Sequence, residues 1–485
     1  GSEMCIRDSL WPAFGEHFSK YPPLGVAYLA AALRKNDVCV EVVDAARYGG
    51  YDDFEADLRA SSPDVVGISI LSAYYDRALE AARVAKQVLP NTTVVVGGAH
   101  PTTLPEETLR HPQIDVVVVG EGERKLLALL RALQGAAALG EIAGIYYKSG
   151  GEVVGGPDDG FIDDLDTLPF PACDLLPMDQ YLHQAPTLPL PYPSTSVIAS
   201  RGCYGNCRFC QPTLRKLFGG KIRYRSPQNV VDEIAALKEQ YKVRGVFFAD
   251  DEPTWDRNWM LELCAEIQRR KLKIQWSCTS RVDTVDFEVL RIMKQAGCIH
   301  ISFGVESGSQ RVLNYYRKGV KVKRVAQAFD LCRQVGIVAR ANLMLGAPSE
   351  TMEDVQETIR LVEVIKPDLI AVSVTTPVVG SDLFFDAQER GLLRKQSLSD
   401  YNRFDISTMT RELSDLTIKQ LIHDLVVAYR RGIIKVALNP LALYRRRYLF
   451  YYILTHWLTM LRKPSILVRD FSYYWHYAGK ERLSS

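Results

Sequence analysis

No apolar run in this 485-residue chain reaches the ~18–20 residues needed to span a bilayer, and no secretory signal opens it. Cysteine is sparse. Ten residues are too few for a disulfide scaffold at this length, and their partial clustering points to metal or redox chemistry in a reducing compartment. Charge of one sign is lacking as well: 59 Lys+Arg against 57 Asp+Glu leave a net charge of +2, which argues against whole-molecule steering to nucleic acid. A dinucleotide fingerprint G-x-G-x-x-G does not occur. What remains is ordinary: 47% hydrophobic and 24% charged residues exclude collagen-like, disordered and coiled-coil classes, and the length suits two to four domains.

Residues 1–20 read as a cloning remnant or an ill-defined start, with MCIRDSLWPAFGEHFSK at best a poor strand. From 21 to 150, helical patterns alternate with short apolar strands (VCVEVVDA, DVVGISIL, TTVVVGGA, DVVVVG). Such runs predict a doubly wound parallel sheet covered on both faces, with ligands beyond the strand C-termini. Residues 151–193 read as a Pro-rich linker, since 157–193 holds eight of the 24 prolines. From 194 to 385 six βα repeats follow, too few for a closed eight-fold barrel, so a partial (β/α)6 barrel of the TIM type is expected. Residues 386–485 form a helical, basic and aromatic C-terminal region. The fold class is therefore α/β.

The strongest signal is RGCYGNCRFC, directly after the first barrel strand. Cys203, Cys207 and Cys210 form a C-x3-C-x2-C array whose thiolates can converge on one iron–sulfur cluster. Three ligands leave a position open for chemistry. A structural zinc site is the alternative, although no fourth ligand stands near in sequence. The other cysteines fall mostly in strand and helix patterns and read as buried thiols; only Cys278 reads as pointing towards the barrel mouth.

This array at the end of the first strand of a partial barrel resembles the radical S-adenosylmethionine (SAM) superfamily. The resemblance implies a [4Fe–4S] cluster held by Cys203, Cys207 and Cys210, with SAM on its open iron. Reductive cleavage of that SAM yields methionine and a 5′-deoxyadenosyl radical. By the same likeness Phe209 packs near the adenine, and Asp250, Asp251 or Glu252 of FFADDEP meets the methionine ammonium. Ser302, Glu306 and Ser307 of SFGVESGS suit the ribose or the methionine moiety. Arg340 suits a carboxylate, and Gly346 a close backbone approach to the adenine. Strand-end polarity or turn chemistry is the ordinary reading of each.

A doubly wound domain ahead of this barrel resembles the cobalamin-binding domain of the B12-dependent members of the superfamily. Pro23, Leu24 and Gly25, then Ser69, Leu71 and Ser72, then Gly97, Gly98 and His100, and Gly120, Glu121, Gly122 and Glu123 would line the corrin. The axial-histidine motif D-x-H-x-x-G is absent, and His100 is the only imidazole in these loops. Cobalamin without a firm histidine ligand is expected, with His100 at the corrin edge or in a solvated loop. Loss of the cofactor is the alternative.

FADDEPTWDRNWMLELC, IQWSCTSRV and LVRDFSYYW resemble the anaerobic magnesium-protoporphyrin IX monomethyl ester cyclase and methyltransferase branch. The first expectation is methylation of an unactivated carbon of a bulky apolar substrate, SAM serving both as radical source and as methyl donor to cobalamin. The alternatives are a ring-forming oxidation of a tetrapyrrole or lipid-like substrate and, from another class, a non-catalytic B12 or redox sensor. A reductant such as flavodoxin or ferredoxin is implied; a nucleic-acid partner is not expected. From Thr417 the tail carries twelve Lys+Arg against three Asp+Glu, net +9, and Arg445 to Trp475 mixes basic clusters with aromatic runs. That suits the inner membrane surface or the active-site mouth. The expected location is the cytoplasm, with peripheral membrane contact through this tail.

Overall fold

The computed structural model describes residues 3–8, 21–44, 50–156, 160–182, 190–393 and 415–437. Strands β1 (Glu3–Asp8), β2 (Cys39–Asp44), β3 (Val65–Ser69), β4 (Thr93–Gly97) and β5 (Val116–Val118) are parallel, and β6 (Ile145–Ser149) and β7 (Glu152–Gly155) are antiparallel. The sheet order β2-β1-β3-β4-β5-β6-β7 reverses at β1/β3, and a ligand crevice belongs beyond the strand ends there. Apolar side chains of β3 to β5 are buried because helices Leu24–Arg34, Tyr75–Val88 and Gly122–Leu133 cover the sheet.

Two boundaries differ from expectation. The start is not a featureless remnant: Glu3–Asp8 pairs along its length with Cys39–Asp44 on one side, and Met4–Asp8 pairs with Val65–Ser69 on the other. The first domain also continues through β7. Gly150 (φ 59°) and Gly151 (φ 85°) close the β6–β7 hairpin, the pair of left-handed residues that a two-residue turn requires. The Pro-rich segment is no loose tether either. Ala172, Leu176, Met178, Tyr181 and Leu182 are buried, Ala172 N donates to Ala27 O (3.0 Å), and Ser226 N to Asp166 Oδ1 (2.9 Å). The packed strap folds into short helical turns, Leu165–Thr167, Cys173–Leu175 and Met178–Leu182, with prolines between them.

The second sheet has six parallel strands: β8 (Ser194–Val197), β11 (Gly245–Phe248), β12 (Gln275–Ser280), β13 (Cys298–Glu306), β14 (Val338–Leu345) and β15 (Leu369–Val374), adjacent in chain order. A two-residue ribbon, β9 (Ser200–Arg201) with β10 (Arg223–Tyr224), stands beside its first turn. Four of the intervening helices begin where the sequence supplies caps: Ser226, Asp256, Asp286 and Thr351 each accept the N–H three residues on, worth ~1 kcal/mol apiece.

Strand periodicity sends Trp276, Ile301, Phe303, Ala341 and Leu343 outwards under the helices, while Ser277, Thr279, Ser302, Gly304 and Asn342 face the lumen. Cys278 shares the outer face with Trp276, fully buried beside the Cys298 thiol, and so does not reach the mouth. One apolar core runs from helix Leu24–Arg34 into the barrel helices and includes Leu421 and Leu425 of helix Asp415–Ala437, whose Tyr429 hydroxyl donates to Asp368 O (2.7 Å). Among the described residues no helix is long and apolar enough to cross a membrane. Arg445 to Trp475 lie outside the described residues.

Candidate active site

The cysteine loop leaves β9 and returns in helix Thr213–Phe218. Gly205 N donates to Cys203 Sγ (3.3 Å), and a Cβ on Gly205 would stand 3.2 Å from Cys203 Sγ and 3.6 Å from Cys207 Sγ. A side chain here would crowd Cys203 Sγ and touch Cys207 Sγ. Burial pushes all three thiols up; Gly205 N–H partly relieves Cys203, and the Lys318 charge partly relieves Cys207 and Cys210. Among the described residues no three His, Cys, Asp or Glu side chains are gathered around a single metal ion. A multi-iron cluster asks for wider spacing, and cationic iron stabilises the thiolates that burial alone disfavours. Helix Asp382–Glu389 braces the loop: Asp382 N donates to Gln211 O (2.7 Å), Leu383 N to Arg208 O (2.9 Å), and Arg208 Nη1 reaches Asp386 Oδ1 (3.3 Å).

Glu306 ends β13 in a left-handed conformation (φ 64°), with Oε1 2.8 Å from Lys318 Nζ. A Cβ on Gly304 would come within 2.6 Å of both atoms, so glycine makes room for the pair. Burial opposes the Lys318 charge, but Glu306 and Cys207 outweigh it and hold its pKa above the ordinary value. The Phe209 ring lies 5.9 Å from that ammonium and edge-on to Tyr316 at 5.3 Å. Ser302 and Asn342 bond across the lumen wall (Nδ2 to Oγ, 3.0 Å). Arg340 is in register with Ser302 and shares the lumen-facing side of the sheet with it.

The acidic strand end divides its labour. Asp250 is buried with Oδ1 accepting from Ala199 N (3.0 Å) and Ser200 Oγ (2.5 Å), while burial lifts its carboxyl to about 7. Its work is to fix the start of the cysteine loop, which corrects its assignment to SAM. Glu252 accepts from Thr254 Oγ1 (2.7 Å) and Arg281 N (3.3 Å), and burial again raises it. Asp251 reaches solvent, and its crowded surroundings and Glu252 push it up to about 6. Ser307 is also corrected: fully buried, it shares hydrogen bonds with Thr358 Oγ1 (3.2 Å) and Ser309 N (3.1 Å), away from the lumen. Gly346 (φ 85°) donates its N–H to Glu350, whose carboxyl burial pushes up to about 7.

Around the first sheet, Gly98 (φ 97°) has Ile70 O 3.0 Å from where a Cβ would sit, and Leu71 is 39% exposed. His100 is 1% exposed, its Nδ1 3.0 Å from Ser72 Oγ and its ring 4.1 Å from Tyr75. Burial lowers it to about 4. The solvated-loop alternative for His100 therefore fails. Its Nε2 is buried with no hydrogen bond among the described residues, a polar atom suited to a bound cofactor's edge. Gly25 is open, Pro23 and Leu24 begin helix Leu24–Arg34, and Ser69 stands at the end of β3. Gly97 has Val118 O 3.4 Å from its Cβ position, and Gly120 N donates to Thr102 Oγ1 (2.9 Å).

Three of the corrin assignments are corrected. Gly122 leaves 3.0 Å to Leu29, a helix-packing contact. Glu121 and Glu123 give their carboxylates to Arg201 and Arg223 of the second domain. Sequence reasoning missed Lys318, Asn342, Arg201 and the exposed Tyr204–Trp255 stack (5.1 Å, 43% and 42% exposed) at the mouth. Arg201 and Tyr204 lie in RGCYGNCRFC and Trp255 in FADDEPTWDRNWMLELC, but neither pattern marks them for a role.

Comparison with known proteins agrees with this geometry. The profile of the Radical SAM superfamily matches residues 197–362, and that of the B12 binding domain residues 13–130. An uncharacterized methyltransferase of Pyrococcus horikoshii is 33% identical over 411 residues, 84% of this chain and 87% of that protein. The anaerobic magnesium-protoporphyrin IX monomethyl ester cyclase of Cereibacter sphaeroides is 31% identical over 443 residues, 88% and 70% of the two chains. The radical SAM methyltransferase TsrM of Kitasatospora setae, solved with cobalamin and a [4Fe–4S] cluster, superposes with a TM-score of 0.70 at 16% identity, covering 88% and 89%.

Proposed function

The chain belongs to the cobalamin-dependent radical SAM enzymes, and from that premise we propose that it methylates an unactivated carbon of a bulky apolar substrate. The observation that carries this reading is the contact of the two cofactor-loop sets. Lys216 of the helix closing the cysteine loop donates to Thr103 O (3.3 Å) at the end of the short helix Ala99–Thr103 after β4, and Gly380 beyond β15 is also packed against Thr103. When bound, the cluster and SAM supply a 5′-deoxyadenosyl radical, and the corrinoid supplies a methyl group.

The chain's own residues do the holding. Cys203, Cys207 and Cys210 take the cluster, and Phe209 lies along the adenine. Glu252 pushes the Asp251 carboxyl up, so an ammonium bound beside Asp251 would relieve it. Ser302 with Asn342, and Glu306 fixed by Lys318, receive the remaining polar groups of SAM, and Gly346 allows the adenine close to the backbone. Gly97, Gly98 and Leu71 would line the corrin, and the buried Nε2 of His100 would meet its edge. A low-potential donor, flavodoxin or ferredoxin, delivers the electron.

The test is anaerobic incubation of the loaded enzyme with cell extract and SAM bearing a trideuterated methyl group. The expected product is heavier by one methyl-for-hydrogen exchange and carries the label. A second reading, ring-forming oxidation of a flat macrocycle, is favoured by the exposed Tyr204–Trp255 stack, which offers an aromatic face at the mouth. A product that is oxidised or cyclised without label would establish it and remove the first. We also propose that the basic, aromatic tail from Arg445 to Trp475 makes peripheral contact with anionic membrane, bringing the enzyme to apolar substrates.

A further inference from the structure

Three segments far apart in sequence meet in one buried charge cluster. Arg201, two residues before Cys203, places Nη1 2.8 Å from Glu121 Oε1 and Nη2 2.5 Å from Glu123 Oε1. Arg223, its partner across the β9–β10 ribbon, holds the same Glu121 through Nη1 to Oε2 (2.8 Å) and Nη2 to Oε1 (3.0 Å). The strap between the domains joins them: Ile162 N donates to Glu121 Oε2 (2.7 Å), and Ile162 O accepts from Arg223 Nη1 (2.5 Å). The side chains of Arg201, Glu121 and Glu123 are 9%, 2% and 6% exposed.

A buried ion cluster is poor evidence of added stability, since desolvation consumes much of the attraction; its better-attested use is to fix registry. Geometry here supports that use. The Arg223 fork takes both Glu121 oxygens and the Arg201 fork spreads over Glu121 and Glu123, which constrains angle as well as distance. Gly202 (φ 98°) follows Arg201 directly, and a Cβ there would stand 2.4 Å from Lys221 O, so little slack separates Arg201 from Cys203. At the other end Glu121 belongs to the loop after β5, one of the strand ends over which a ligand of the first sheet sits.

We infer that Arg201 is a positioning residue: bridging Glu121 and Glu123, it sets the placement of the cysteine loop against the corrin-facing loops, and so the alignment of methyl donor and acceptor. This rests on the proposed cobalamin-dependent reaction, but its structural half is testable without cofactor. Because a lone unpaired charge can prevent folding, two variants are compared in the full-length chain: Arg201→Lys, and the charge-free Glu121→Gln/Glu123→Gln/Arg201→Met.

In the cofactor-free protein, hydrogen exchange across residues 202–210 is expected to rise about tenfold in the triple variant, while β14 exchanges as in the parent. In the loaded enzyme, S-adenosylhomocysteine formed per 5′-deoxyadenosine is expected to fall at least about tenfold, with 5′-deoxyadenosine within twofold of the parent and Arg201→Lys between the two. Unchanged exchange in residues 202–210, or two products falling in parallel, would overturn the inference. A parent enzyme that forms neither product while the exchange difference holds would instead count against the proposed reaction.

Discussion

His100 carries the clearest consequence at the scale of single residues. Unfolded, an imidazole takes its proton near pH 6.5; buried between Ser72 and Tyr75, this one resists protonation down to about 4. Between those values the unfolded chain binds the extra proton, so acid favours unfolding. The stability tied to a neutral His100 is complete above pH 6.5 and is lost as pH falls towards 4. Chemical denaturation should show the parent losing about 2 kcal/mol more than His100→Gln between pH 7.5 and 5. Equal losses in the two proteins would mean that His100 already titrates normally. The spacing that identifies the cysteine loop is contained in eight residues and can be read from sequence. The fates of Asp250 and Ser307 cannot, because their partners Ser200 and Thr358 stand 50 and 51 residues away. Glu121 and Glu123 mislead for the same reason: a carboxylate in a candidate ligand loop reads alike whether it faces a cofactor or an arginine of another domain.

Among elements, legibility follows how local the deciding interaction is. The six barrel strands stand where apolar runs ended in small or polar residues, and four of the helices between them begin at Ser226, Asp256, Asp286 and Thr351, side chains that satisfy free N–H groups nearby, while Val322–Val335 starts without one. Strand β1 was hidden because its place between β2 and β3 is a matter of long-range pairing rather than of its own pattern. The β6–β7 hairpin had a visible signal in Gly150-Gly151, which the alternation of helix and strand upstream obscured.

At the same scale belongs the tail beyond helix Asp415–Ala437. Each basic residue near an anionic surface contributes roughly 1 kcal/mol, so Arg445, Arg446 and Arg447 with their aromatic neighbours suffice for weak, salt-sensitive attachment. Co-sedimentation with phosphatidylserine-containing vesicles should retain the full chain and lose one ending at Ala437. Equal retention of both would remove the membrane contact.

For the molecule as a whole, the order of domains was open to sequence reasoning because each carries its own pattern. Their mutual placement was not, since it depends on the strap around Ala172 and on the Arg201 cluster, contacts spanning up to 145 residues between Ala27 and Ala172. The account as a whole depends on one premise: Cys203, Cys207 and Cys210 bind a cluster that cleaves SAM. Anaerobically reconstituted, reduced protein should therefore be assayed for 5′-deoxyadenosine beside Cys207→Ala prepared in the same way. Formation by the parent and none by the variant is the predicted result; undiminished formation by Cys207→Ala would contradict the account at its centre.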